Sequence, residues 1–225
     1  TLDAFPGSHV HLGGDEVAAD ELGRLQAPEA RVVELFERLF GFLALRGRVP
    51  VVWDEVQSAF TRQRRPLPAG VVVHAWQGGH TVARSLAAGA PTLASPQEAT
   101  YLNHRATGLR TCYAWDPAAD GCGALPAAAA AATAGLLLGG SACLWTEYVR
   151  NESALLLRAF PRAVAIAEAL WVGRHKRASW AQFRRALPVT EDDTDADADA
   201  DTDGDGHGDG DGDGDGHGDG HGHEH

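Results

Sequence analysis

Residues 9–16, His-Val-His-Leu-Gly-Gly-Asp-Glu, decide how the rest of the chain is read. His9 to Leu12 is a short, strand-compatible run. The glycines after it let the backbone leave a strand sharply and let a ligand come close. Asp15 and Glu16 then set two carboxylates side by side, and like charges held together raise the pKa of at least one of them. A carboxyl raised in this way can serve as a general acid. The plain alternative is a strand ending in a turn whose Asp15 caps the next helix.

The same form recurs downstream. Val49 to Trp53 runs into Asp54-Glu55, a second acidic pair without the glycines, which reads as structural. Gly70 to Trp76, Ala90 to Ala94 and Ser141 to Trp145 are further short apolar runs, predicted as strands. Between them, Arg31 to Arg46 carries Val32, Val33, Leu35, Phe36, Leu39, Phe40, Phe42, Leu43 and Leu45, a broad apolar face at helical spacing. Val82 to Ala88 and Ala154 to Leu170 are predicted helices, and an Ala-rich helix precedes the last strand. Continuous apolar strands separated by helices predict parallel β/α units, with both faces of the sheet covered.

Five such units fall short of a closed eight-stranded barrel, which takes roughly 250 residues, so an open doubly wound sheet would also fit the length. The strand ends decide between them. Asp15-Glu16, Trp53 with Asp54-Glu55, Trp76, and Trp145 with Glu147 put carboxylates and tryptophans just past successive strands, as a barrel mouth built to hold a sugar requires. No G-x-G-x-x-G phosphate turn follows the first strand. An indole face stacks on the apolar face of a pyranose ring, so Trp53, Trp76 and Trp145 at matching positions form a sugar-sized slot, although each alone would read as core.

The 225 residues carry a formal net charge of −12, but the charge is not spread evenly. Fifteen of the 31 acidic residues lie in 190–225, which has no Lys or Arg, leaving 16 acids against 19 bases in the body. Residues 1–189 hold enough apolar content for one domain. Residues 190–225, Asp, Gly and His in near alternation, have no apolar side chain larger than alanine to offset the ordering cost and are expected to form a disordered tail. The tightest basic run, Arg62, Arg64 and Arg65, has no interleaved aromatics, so nucleic acid is not the implied partner. The uncharged stretch from Ala124 to Trp145 is long enough for a membrane span, but Pro126 and Gly139-Gly140 interrupt it, and no span is expected. Thr1-Leu2-Asp3, without Met or any signal-peptide pattern, reads as a cut edge that leaves the compartment unknown.

The run Phe5 to Val17, FPGSHVHLGGDEV, resembles the signature of the family 20 glycoside hydrolases, the β-N-acetylhexosaminidases, with the H-x-G-G-D-E core matched in full. VVWDEV (51–56), VVVHAWQGG (71–79), SPQEATYLN (95–103), GGSACLWTEYV (139–149) and FPRAVAIAEALW (160–171) are similar to that family's later motifs, in family order. The resemblance implies part of a (β/α)8 TIM barrel, about strands 4 to 8, from a retaining exo-glycosidase that removes terminal β-linked N-acetylhexosamine by substrate-assisted catalysis. It implies that Glu16 is the general acid and base and that Asp15 orients the acetamido group. Trp53, Trp76 and Trp145 would wall the pocket, Tyr101 would bond the acetamido oxygen, Glu147 would hold sugar hydroxyls, and His11 would belong to the substrate-binding set. Its implied partner is an N-acetylhexosamine-containing oligosaccharide or glycoconjugate, its setting extracellular, and it calls for no cofactor and no metal.

Two departures stand out. Asn103 occupies a position where the family has Asp, and the motifs of strands 1 to 3, including a substrate-clamping Arg, are absent, so an inactive fragment or a sugar-binding pseudoenzyme is the alternative. Cys112 and Cys122 bracket a loop and could pair in an oxidising compartment, leaving Cys143 odd. Asp199 to Gly204 opens like a calcium loop, but its twelfth position is Gly210, so only weak, non-specific divalent binding is expected of the tail.

Overall fold

The computed structural model describes residues 2–17, 28–104, 106–123 and 125–188. The acidic segment 190–225 lies outside them. Five strands, β1 (His9–His11), β2 (Val49–Trp53), β3 (Val72–Ala75), β4 (Thr92–Ala94) and β5 (Leu137–Gly140), form one sheet in chain order. Every pairing is parallel. The register sets Val52 opposite Val73 and Trp53 opposite His74. Paired residues of parallel strands share a face, so the two valines point one way, both fully buried, and Trp53 and His74 the other.

The connections are helical. They are α1 (Pro28–Ala44), α2 (Asp54–Arg62), α3 (Gly79–Ala87), α4 (Gln97–Thr100), α5 (Leu109–Ala114) and α6 (Ala127–Thr133). After β5 come α7 (Glu152–Ala159), α8 (Arg162–Val172) and α9 (Trp180–Ala186). Only a stripe of the broad apolar face of α1 is buried: Val33, Phe36, Phe40 and Leu43, spaced at three and four residues, face inward, while Leu35, Phe42 and Leu45 are exposed. Val33, Phe36 and Phe40 pack on Val52, Val56, Ala59 and Phe60 of β2 and α2. A second core joins α3, α5, α8 and α9 around Leu86, Tyr113, Trp115, Ile166 and Phe183. Among the described residues no helix is long and apolar enough to cross a membrane.

Two expectations are corrected. The last strand is Leu137–Gly140, and Ser141 to Trp145 lies beyond it, with one isolated parallel bridge from Cys143 to Tyr101. The glycines that looked like breakers are inside the strand. A Cβ on Gly140 would lie 2.3 Å from the Ala94 carbonyl oxygen and 2.6 Å from the Trp115 ring, so only glycine lets β5 close on β4 here. The predicted helix from Ala154 to Leu170 is two helices, divided at Phe160-Pro161, because Pro161 has no N–H to continue the α7 ladder.

Gly140→Ala is expected to lower stability by about 1–3 kcal/mol, the range for forcing atoms into a packed site. Gly135→Ala, with nothing within 4 Å of the added carbon, serves as the control. Urea unfolding of both variants checks this; equal midpoints would remove the close-packing argument.

Candidate functional site

The ladder runs past β1 into the acidic turn. Leu12 N–H donates to the Val51 carbonyl at 2.8 Å, and Trp53 N–H donates to the Gly13 carbonyl at 3.1 Å. Gly14 then takes φ +100°, where a side chain would be strained, and an added Cβ would lie 2.3 Å from Val56 and 2.8 Å from Phe36. The chain is thus pressed onto α1 and α2 just before Asp15. Glu16 itself sits at φ 44°, in the left-handed region that a non-glycine residue occupies only at a cost.

These constraints bring the turn to the rim of a cleft of about 310 Å³. Of the nine site residues expected from the sequence, eight line it: Asp15, Glu16, Trp53, Trp76, Tyr101, Asn103, Trp145 and Glu147. The ninth, His11, does not. It is exposed on the edge strand β1, its ring 4.8 Å from Trp53 and 5.4 Å from His74. The tryptophans converge through Tyr101, whose ring centre is 5.8 Å from that of Trp76 and 6.5 Å from that of Trp145. Trp53 and Trp145 are 6.2 Å apart. Burial holds the Tyr101 phenol well above its usual pKa, so it stays a neutral hydroxyl.

Gln97, His104 and Tyr148 also line the cleft and were missed by sequence reasoning. Gln97 opens α4 three residues past β4, so the strand-end rule could have found it. Tyr148 directly follows Glu147. His104, stacked on Tyr101 at 5.9 Å, carried no such signal.

The second acidic pair supports the wall. Trp76 Nε1–H donates to Glu55 Oε2 at 2.9 Å. Burial pushes the Glu55 carboxyl up to about 7, against the pull of the Trp76 bond, and neighbouring Asp54 adds to the rise. The pair read as structural therefore does contain a raised acid, and it acts on the site through an indole.

The loop bearing Tyr101 and Asn103 is held from behind. Arg162 on α8 donates to the carbonyls of Leu102 at 2.7 Å, His104 at 2.9 Å and Thr107 at 3.0 Å. Arg158 reaches the Asn103 carbonyl. Asn103 is buried, and its Oδ1 meets no donor among the described residues. The three cysteines are unpaired, and burial pushes the Cys112 thiol up to about 11. Among the described residues no group of three His, Cys, Asp or Glu is disposed to hold a metal ion.

Parallel β/α units with polar and aromatic residues gathered just past the strand C-termini make this a TIM-barrel type α/β fold. The profile of the glycosyl hydrolase family 20 catalytic domain matches residues 1–174, and the chain belongs to that family. It is 30% identical over 213 residues to a β-hexosaminidase of Akkermansia muciniphila, covering 82% of this chain and 40% of that protein. It is 27% identical to the human β-hexosaminidase subunit beta, covering 78% of this chain and 32% of the subunit. A solved β-N-acetylhexosaminidase from Streptomyces coelicolor superposes with a TM-score of 0.63 at 27% identity, over 80% of this chain and 36% of that one. The chain thus spans about two fifths or less of the relatives it matches.

Glu55 gives a pH test. Its folded pKa is raised above the ordinary 4.5, so the stability it contributes is complete below that value and is lost as pH rises through about 7. Glu55→Gln keeps an acceptor for Trp76 and removes the titration. Thermal unfolding from about pH 5 to 8 should fall off less steeply in the variant than in the wild type. Parallel profiles would show that Glu55 titrates normally.

Proposed function

We propose that this chain carries the catalytic carboxylates of a β-N-acetylhexosaminidase, a retaining exo-glycosidase that releases terminal non-reducing β-linked N-acetylhexosamine from oligosaccharides or glycoconjugates. The observation that carries the proposal is the convergence of eight residues, from separate strand ends, on one cleft with Asp15 and Glu16 at its rim. Family membership supports it. In this reading residues 1–189 supply about strands 4 to 8 of a (β/α)8 barrel, and 190–225 form an acidic tail with no part in the chemistry. Among the described residues, β1 and β5 each pair on one side only, and Leu157, Phe160 and Trp171 of the last helices stand exposed. Both features suit further β/α units packed against them.

The chemistry proceeds in two displacements. The carbonyl oxygen of the sugar's 2-acetamido group attacks C1 while Glu16 gives its proton to the departing glycosidic oxygen, breaking that bond and leaving an oxazolinium ion. Asp15 accepts the acetamido N–H and stabilises the positive charge that develops there. The Glu16 carboxylate then takes a proton from water as the water attacks C1, which reopens the ring and restores the carbonyl with overall retention. Trp53, Trp76 and Trp145 wall the ring and the acetamido group. The Tyr101 hydroxyl donates to the acetamido oxygen. Glu147 and the unsatisfied Asn103 Oδ1 accept sugar hydroxyls.

The alternative is binding without turnover, favoured by one observation: the β1 edge bearing His11 is open. Hydrolysis of an aryl β-N-acetylglucosaminide separates the two. The proposal expects turnover that falls by at least about a hundredfold in Glu16→Gln, the lower range for loss of a general acid. Tryptophan quenching by N-acetylglucosamine without turnover would favour the binding reading, and turnover unaffected by Glu16→Gln would defeat the assignment of the acid.

A further inference from the structure

From His11, exposed on the edge strand β1, a chain of hydrogen bonds that the proposed reaction does not use runs to buried His74 and Ser95. Gly13 N–H donates to His11 Nδ1 at 3.1 Å. His11 Nε2 lies 3.3 Å from His74 Nδ1. His74 Nε2 lies 2.8 Å from Ser95 Oγ and 3.1 Å from Ser141 Oγ. The two hydroxyl oxygens are 2.8 Å apart, and Ser141 N–H donates to Ser95 Oγ at 3.2 Å.

The protons along this chain can be placed by elimination. A backbone N–H can only donate, so His11 Nδ1 is an acceptor and carries no proton. His11 is then protonated at Nε2 and donates to His74 Nδ1, which in turn carries none. His74 keeps its proton on Nε2 and gives it to the serine hydroxyls. Both rings are neutral and both are Nε2–H tautomers, fixed from one end by the backbone of the acidic turn. A further proton on either ring would point an N–H at another N–H, so the chain excludes imidazolium.

Electrostatics runs the same way. Burial lowers His74 to about 4, with His11 beside it adding to the effect. Burial also lowers His11, opposed by Asp15. The titratable groups facing the rings are Asp15 from the turn, each imidazole for the other, and Cys143, whose Sγ is 3.9 Å from Ser141 Oγ. From β2 the rings are covered by Trp53, stacked 4.3 Å from His74.

The chain joins what the site needs held together. Its first link is the backbone two residues before Asp15, and its last lies four residues before Trp145. We infer that His11, His74, Ser95 and Ser141 form a tautomer-locked positioning chain that fixes the Gly13–Glu16 turn relative to Trp53 and to the segment bearing Trp145. Its bearing on sugar binding rests on the reading of the cleft given above.

The test is long-range nitrogen–proton NMR of the full chain labelled with nitrogen-15. At about pH 7 both His11 and His74 should show the Nε2–H tautomer, and the Gly13 amide should exchange slowly with solvent. His74→Leu should release His11 into a tautomer mixture and speed Gly13 exchange. His74→Gln, which offers an acceptor and a donor in the same order, should preserve both. Ser95→Ala, a milder change, should loosen the His74 tautomer should the leucine variant misfold. In titrations with N-acetylglucosamine, His74→Leu should bind about tenfold more weakly, the cost of leaving a buried partner unsatisfied, and His74→Gln should stay close to wild type. A His11 Nδ1–H tautomer in the wild type, or a Gly13 amide indifferent to His74→Leu and Ser95→Ala, would overturn the inference. Failure of the wild type to bind N-acetylglucosamine would strike the sugar reading alone, and the NMR results would still decide whether the chain holds the turn.

Discussion

In a parallel ladder every strand points the same way, so five strands paired in chain order deliver their C-terminal ends to a single edge of the sheet. Everything in the cleft depends on that geometry. Trp53 is the last residue of β2, Trp76 the first after β3, and the Asp15-Glu16 turn begins as soon as β1 has handed its final ladder bonds to Val51 and Trp53. The faces are sorted by the same pairing. Val52 and Val73 go to the helices, where apolar burial stabilises the domain, and Trp53 and His74 go to the opposite face, where they meet His11.

Order at the strand ends then has to be extended into irregular backbone, which has no ladder of its own. The segment from Tyr101 to His104 carries Tyr101 and Asn103 into the cleft, and the carbonyls of Leu102, His104 and Thr107 need donors. A guanidinium is suited to this, since it presents five N–H groups in a fixed plane and keeps its charge even when burial disfavours it. Arg162 serves three of these carbonyls and that of Arg158, which ties the aromatic loop to α8. The cleft therefore depends on the closing helices as well as on the strands before it.

Much of this was legible in the sequence, for identifiable reasons. β2 and β3 are valine runs and could be read as strands from composition. The acidic turn was legible as a turn because two adjacent glycines let the backbone leave a strand sharply. β5 was not, because Gly139 and Gly140 act as strand residues only where Ala94 and Trp115 crowd against them, and that crowding comes from residues distant in sequence. α9 had a signal that went unused: Ser179 and Gln182 form a capping box, an S-x-x-Q pattern visible in the chain. His11 was grouped with the substrate contacts on motif alone, whereas its register partner Val51 and its ring contact with Trp53 set it on the edge strand, outside the cleft lining. Arg162 gave no sign of its role, since carbonyl acceptors leave no mark in a sequence.

The two acidic pairs show how surroundings divide the work of like residues. Asp15 and Glu16 lie at the rim of the cleft. Asp54 has no exposed surface, and neither of its oxygens, nor Glu55 Oε1, meets a donor among the described residues. Two full charges there would be costly, and a proton retained on Glu55 removes one of them and supplies the missing donor. Glu55 Oε2 remains free to accept from Trp76. Glu55 thus gives up a charge and holds an indole in place, whereas the rim pair, backed by glycines and by Trp53 N–H, faces the cleft. Adjacent acids at successive strand ends come to different uses because Asp54 is buried and Glu55 is bonded to an indole, while Asp15 and Glu16 stand at the mouth.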